Sequence, residues 1–219
     1  MSIDSQDGLQ ADFKDGWLGI VGLDARHYQK LDRHSILAVR LSAATSFGNE
    51  KMLYYLGGTD NWLFPRFEEN IPVDPTVGYA YQALATNLRG FNSNIRNGNS
   101  FAVANFELRV PIFSYFTRRP IKSTFIRNFQ VVGFFDTGTA WIGLSPFNDD
   151  NPLNTVIIQG QNSPISVKVN YFRNPIVSGY GVGFRSTVFG YFVRLDFARG
   201  IETGVLQDRR IHLSLGTDF

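Results

Sequence analysis

The sequence predicts an all-β fold, an antiparallel transmembrane β-barrel to which these residues contribute about eight strands. Several segments alternate between apolar residues on one face and polar or ionisable residues on the other, which is typical of a strand between lipid and a polar lumen. Aromatic residues make up 15% of the 219 residues, whereas charged residues make up only 18%. No apolar run approaches the roughly 20 residues that a spanning helix needs, so any membrane crossing is expected to use strands.

Composition also excludes several classes of function. The chain has no cysteine, which excludes disulfides and thiolate metal sites. Its net charge is +2 and its basic residues are scattered, so no nucleic-acid surface is predicted. The three histidines lie on separate elements, and residues 148–150 lack the ligand pattern of a calcium loop. With no nucleophile elbow and no carboxylate pair fixed by spacing, neither catalysis nor a cofactor is predicted.

The first predicted strands form a hairpin. From Gly16 to Tyr28, apolar residues such as Val21 and Leu23 alternate with polar ones, and the segment from Ser35 to Ala44 returns with the same period of two. A short strand follows at 51–56.

A long connection at about 58–97 comes next. It contains Pro65, Pro72 and Pro75, several asparagines and no sustained periodicity. Structureless loops of this length are uncommon in compact domains and are usually functional. We therefore expect a loop that folds into the lumen, with Leu88 to Phe91 near its end.

The clearest alternation lies between Phe101 and Pro111. One face carries only apolar residues, while ionisable residues share the other, and Pro111 should end the strand because it cannot donate to a ladder. The predicted lipid face carries Ala104, Phe106, Leu108 and Val110, and the predicted lumen face carries Val103, Asn105, Glu107 and Arg109.

The next strand, Phe129 to Trp141, places an aspartate in the same interior. If Asp136 points inward, so does Phe134, whereas Phe135 and Trp141 point outward, with Trp141 where an interfacial aromatic girdle belongs.

The remaining strands are predicted at 179–189, 191–201 and 210–219, after a second long polar loop at 142–178. Short turns on one side and long loops on the other are expected, as in outer-membrane barrels. Gly179 to Gly183 lacks the spacing of a phosphate-binding loop, so these glycines are interpreted as making room for the inserted loop.

Arg89 and Asp136 are the two charged residues that we expect to pair. The prediction is a charge-assisted, bidentate bond inside the lumen, with Gly90 allowing close backbone approach and Phe91 packing nearby. Such a pair would act as a latch that holds the long loop down. The alternative is that both residues are merely solvated.

At these motifs the chain resembles the outer-membrane assembly-factor superfamily of β-barrels, also called the bacterial surface antigen family. The family has an Arg-Gly-Phe/Tyr tip on a loop folded into the lumen and a Phe-x-Asp-x-Gly motif on a nearby strand, together with a closing strand that ends in an aromatic residue. The matching latch residues are Arg89, Gly90, Phe91, Phe134, Asp136 and Gly138, and those of the carboxyl-terminal signal are Leu213, Leu215 and Phe219.

The resemblance implies an integral protein of the bacterial outer membrane that inserts or translocates polypeptides by opening between its first and last strands, without a cofactor. Implied partners are the lipid bilayer, unfolded outer-membrane proteins and periplasmic accessory proteins.

The family's barrels have about twice this many strands. These residues are therefore expected to be the carboxyl-terminal half of a barrel, with an open edge near 9–28 that the amino-terminal remainder pairs. A passive pore or an anchor for a fused upstream domain is the alternative. A soluble lipocalin-like binder would have the opposite polarity.

Overall fold

The computed structural model describes residues 16–73, 77–117, 120–148, 151, 153, 155–159, 166–170 and 173–216. Over these residues the fold is all-β, with twelve strands and two short helices. The strands are β1 (Leu18–Lys30), β2 (Ile36–Gly48), β3 (Lys51–Leu56), β4 (Tyr79–Leu84), β5 (Arg96–Gly98), β6 (Ser100–Val110), β7 (Gln130–Trp141), β8 (Thr155–Gln159), β9 (Ser166–Asn170), β10 (Val177–Val188), β11 (Tyr191–Glu202) and β12 (Val205–Leu215). The helices are α1 (Ile112–Phe116) and α2 (Thr124–Arg127).

Seven strands form the main sheet, in the order β1-β2-β6-β7-β10-β11-β12, and every neighbouring pair is antiparallel. The predicted count of about eight strands is therefore too high for this sheet. The extra strand is β3, which was predicted at its observed bounds but lies elsewhere. Leu53 and Tyr54 are adjacent and both buried, so β3 has protein on both faces.

A smaller sheet, β4-β3-β5, forms within the long connection between β2 and β6. The prediction of a structureless loop at about 58–97 is wrong in this respect, because the segment contains β4 and β5. It does lie against the main sheet, and an apolar cluster joins the two. That cluster includes Tyr54, Leu56, Leu88, Phe91, Phe101, Val103 and Val177.

The main sheet covers its polar face and exposes its apolar face. Its polar face is the covered one, with Asn105, Glu107 and Asp136 almost completely buried. Its apolar face is exposed, and Leu108 keeps 42% of its accessible surface. One row of this face runs through consecutive strands at Leu37, Leu108, Gly133, Val182, Phe197 and Ile211.

The connections follow the predicted layout only in part. The helices α1 and α2 lie in the connection between β6 and β7, and the polar segment after β7 contains the hairpin β8-β9. The link between β11 and β12 is the pair Thr203 and Gly204, both with positive φ, rather than a long loop. The short and long connections are therefore not segregated to opposite ends of the sheet.

The closing strand begins at Val205, five residues before the predicted start at Arg210. Residues 217–219 of the predicted closing strand, and residues 9–15 of the predicted open edge, lie outside the described residues. As predicted, β6 ends just before Pro111 and β7 ends at Trp141. None of the helices in the described part of the chain is long and apolar enough to cross a membrane.

Candidate functional site

The Arg-Gly-Phe tip lies on the polar face of the main sheet, and the predicted contact between Arg89 and Asp136 is present. Arg89 is 2% exposed and Asp136 is fully buried. The guanidinium donates from Nε to Asp136 Oδ2 at 2.7 Å and from Nη2 to Oδ1 at 2.8 Å, and the Arg89 backbone N–H donates to Oδ2 at 3.1 Å. The pair is bidentate and charge-assisted, the geometry that binds a carboxylate most specifically.

Glu107 on β6 extends this pair into a network. Its Oε1 accepts a hydrogen bond from Arg89 Nη1 at 2.6 Å and another from Arg185 Nη2, and its Oε2 accepts from Arg109 Nε at 2.9 Å. Asp196 on β11 lies 3.9 Å from Arg89 Nη1. Because all six residues of the network, Asp136 included, are at most 9% exposed, the charges are compensated by one another rather than by bulk water.

Two asparagines connect the network to the loop backbone. Asn105 donates from Nδ2 to Asp136 Oδ1 and to the Asn87 carbonyl oxygen, both at 2.8 Å. Asn87 Oδ1 in turn accepts from the backbone N–H of Asp60 at 2.6 Å. The loop is therefore held at Asn87 as well as at Arg89.

Gly90 occupies a position that a side chain could not share. Its φ is 96°, and an added Cβ would lie 2.6 Å from the carbonyl carbon of Arg199 on β11. Its N–H donates to His212 Nε2 at 3.1 Å. The prediction that Gly90 allows a close backbone approach is confirmed.

Glycines of the main sheet leave space for the tip. Gly179 and Gly200 are cross-strand partners on β10 and β11. A Cβ on Gly179 would overlap the Arg89 carbonyl oxygen, and one on Gly200 would overlap the Phe91 ring. Gly179 makes room for the loop as the sequence predicted, whereas a Cβ on Gly181 would meet Phe197 and Phe134, which belong to the main sheet and not to the loop.

The two other residues of the predicted motif behave differently. Phe134 lies under the guanidinium, with Arg89 Cζ 3.6 Å from its ring centroid, a cation–π contact. Gly138 does not contact the tip. A Cβ on Gly138 would lie 2.7 Å from the Ala102 carbonyl oxygen, so this glycine allows β6 and β7 to approach closely.

Electrostatics keep Arg89 charged. Burial alone would lower the pKa of its guanidinium, but Asp136, Glu107 and Asp196 outweigh this and raise the pKa above its ordinary value. Arg89 is therefore positively charged at every physiological pH.

Sequence reasoning missed part of this site. Glu107 and Asn105 were predicted to face the interior, but nothing local indicated that they share Asp136 and Arg89. The available signal was register, because β6 and β7 pair Asn105 with Asp136. His212 and Gly200 carried no comparable signal, since their contacts with the tip join segments more than a hundred residues apart.

The carboxyl-terminal signal residues are separate from the latch. Leu213 and Leu215 are half-buried, while the residue before each of them, His212 and Ser214, faces the covered side. Phe219 lies outside the described residues. The backbone of Leu213 accepts a hydrogen bond from Leu63 N–H at 2.9 Å, so the loop also contacts this strand.

Comparison with known proteins adds no relative: no protein-family model matches the chain, and no curated protein shows a significant match. Among the residues that the structure describes, no group of three or more histidine, aspartate or glutamate side chains is placed to hold a metal ion.

Replacing Arg89 tests the network. Arg89→Ala leaves Asp136 and Glu107 buried without their shared partner, so we expect the free energy of unfolding in urea to fall by about 3 to 5 kcal/mol. Arg66→Ala removes an exposed arginine from the same loop and should change it by less than about 0.5 kcal/mol. Equal effects of the two substitutions would contradict the role given to Arg89.

Replacing Gly179 tests whether the tip packs against the main sheet at this position. Gly179→Ala places a methyl group against the Arg89 carbonyl, which is backbone and cannot move aside, so destabilisation by about 1 to 3 kcal/mol is expected. Gly133→Ala on β7 is the matched control, because no atom lies within 4 Å of its added Cβ. Urea unfolding of both variants checks this; a Gly179→Ala protein as stable as the control would show that the tip is not seated there.

Proposed function

We propose that the chain is part of an outer-membrane β-barrel of the assembly or translocation type, which inserts or passes polypeptides without catalysis. The observation that carries the proposal is the buried Arg89 network beneath a folded-in loop, on a sheet whose other face is apolar and exposed. In a water-soluble protein the ionic face would be outside and the apolar face covered. The opposite arrangement suits a sheet between lipid and a polar lumen.

The aromatic residues support a membrane location. Phe113, Phe129, Phe184 and Phe197 form a continuous series of ring contacts, with centroids 5.4 to 6.2 Å apart, from α1 onto the apolar face. Aromatic side chains concentrate at membrane interfaces, where a ring can meet both the apolar chains and the headgroups. At the same end of the sheet, Phe189 is 98% exposed at the turn between β10 and β11.

The loop argues for the assembly type over an open pore. A conducting channel needs a continuous water path, whereas here the polar face between β6 and β11 is covered by the tip and its ion pairs. A loop held by buried charges is suited to a protein with two conformational states. The ion pairs are specific in geometry, and they break together when the loop leaves.

The edges of the sheet support a partner that pairs with strands. Within the described residues, β1 has only β2 as a neighbouring strand, and most of its residues are exposed on both faces. An unpaired edge in lipid costs several kcal/mol per backbone group. We infer that the amino-terminal remainder of the barrel pairs β1, and that an opened edge templates strands of unfolded outer-membrane proteins delivered by periplasmic accessory proteins.

The membrane contact can be tested on the apolar face. We expect Leu108→Arg to destabilise the bilayer-inserted protein by about 2 to 4 kcal/mol, because an arginine would be forced into hydrocarbon. Leu144→Arg is the control, since Leu144 is fully exposed in a connecting segment and should tolerate the charge. Urea unfolding of both variants in phosphatidylcholine vesicles measures the difference. A Leu108→Arg protein as stable as the control would place that face in water.

Assembly activity needs its own measurement. Vesicles that contain the protein should fold a urea-denatured eight-stranded outer-membrane barrel faster than protein-free vesicles, as followed by its heat-modifiable gel mobility. Arg89→Ala should reduce this acceleration, whereas Arg66→Ala should retain it. Equal folding rates with and without the protein would contradict the assembly type; ion conductance would then indicate a passive pore, and its absence an anchor.

A further inference from the structure

The last strand of the main sheet carries a second piece of the long loop on its otherwise free edge. Leu63 N–H donates to the Leu213 carbonyl oxygen at 2.9 Å, and Leu215 N–H donates to the Asn61 carbonyl oxygen at 3.4 Å. Trp62 and Ser214 form an antiparallel bridge between these bonds. The contact is a short β-pairing of the kind that an added strand would make.

Side chains fix this pairing from the covered face. Thr59 Oγ1 and Ser214 Oγ lie 2.8 Å apart, and the Trp62 and His212 rings pack with centroids 4.5 Å apart. Arg194 donates from Nη2 to the Asp60 carbonyl oxygen at 2.9 Å. The segment therefore fits β12 in one register.

The rest of the edge is less covered. Val205, Gln207 and Arg210 line a cavity of about 520 Å³ that lies between β12 and the loop. An extended peptide could approach the edge at this end, but it could not pair along the whole strand while Asn61 and Leu63 occupy the other end.

We propose that residues 59–63 are a cap that occupies the β12 edge in cis and must be displaced before another strand can pair there. The inference rests on the proposed function and adds a regulation to the same edge. The occupant that competes with the cap is an extended polypeptide strand, because the cap itself binds through backbone N–H and C=O groups.

The cap is connected to the latch. Asp60 in the cap donates its N–H to Asn87, whose carbonyl accepts from Asn105, which also binds Asp136. Gly90 of the tip donates to His212, against which Trp62 packs. Displacing the cap therefore disturbs the surroundings of the tip directly.

The absence of native cysteine allows a clean test. In the double variant Thr59→Cys with Ser214→Cys, oxidation locks the cap onto β12. The matched control is Thr45→Cys with Ser100→Cys, a second threonine–serine pair with the same 2.8 Å separation of hydroxyl oxygens, but between β2 and β6 inside the sheet. Both variants receive the same oxidation and the same reduction.

The probe is a synthetic peptide with the sequence of residues 205–219, and its binding to the purified chain in detergent is measured by fluorescence anisotropy. Oxidation of the cap variant should weaken binding at least about tenfold, and reduction should restore it. Oxidation of the control should change nothing. Equal binding to the oxidised and reduced cap variant would overturn the proposal.

A third variant, without introduced cysteines, tests the cap if the peptide binds weakly to both cysteine variants. Leu63→Pro removes the N–H that bonds Leu213, so it should release the cap and increase peptide binding above that of the unaltered chain. No increase would also overturn the cap. These measurements are made in detergent, whereas membrane contact and assembly are tested in vesicles. The cap proposal can therefore be contradicted while the vesicle tests succeed, and the reverse outcome is equally distinguishable.

Discussion

The buried guanidinium of Arg89 is the constraint on which the arrangement of loop and sheet depends. A charge with 2% exposure is tolerated only when opposite charges and hydrogen bonds surround it. Asp136 and Glu107 provide them from adjacent strands, so the register of β6 and β7 and the path of the loop are fixed together. Glycines at 179 and 200 are then required, because the tip can reach the carboxylates only if its backbone nearly touches the sheet.

The strands of the main sheet could be predicted because the alternation of residues along each strand reflects its two environments. Each strand of this sheet has one exposed and one covered face, so the alternation of exposed Phe106 and buried Glu107 needs no distant information. The failures were the sheet to which β3 belongs and the strands β4 and β5, which form inside a connection that shows no sustained alternation. Their sheet packs on Phe101 of β6 and Val177 of β10, contacts that the sequence of the connection does not show.

The site was predictable to a similar extent. Arg89 and Asp136 could be matched because each was an ionisable residue that the pattern or the motif directed to one interior. Glu107 was predicted to be on the correct face, yet its role as acceptor for three arginines depends on register across three strands. His212 joins the site through a backbone donor, Gly90, and such contacts leave no trace in side-chain chemistry.

The latch and the cap are held by different kinds of interaction. The cap has two backbone hydrogen bonds to β12, besides the hydrogen bonds of Thr59 and Asp60 and the contact of Trp62 with His212, and a typical hydrogen bond contributes only about 1 kcal/mol net. Breaking the latch leaves buried charges unpaired, at about 3 to 5 kcal/mol. An incoming strand that replaces the cap's bonds with its own can therefore displace residues 59–63 while Arg89 stays on Asp136.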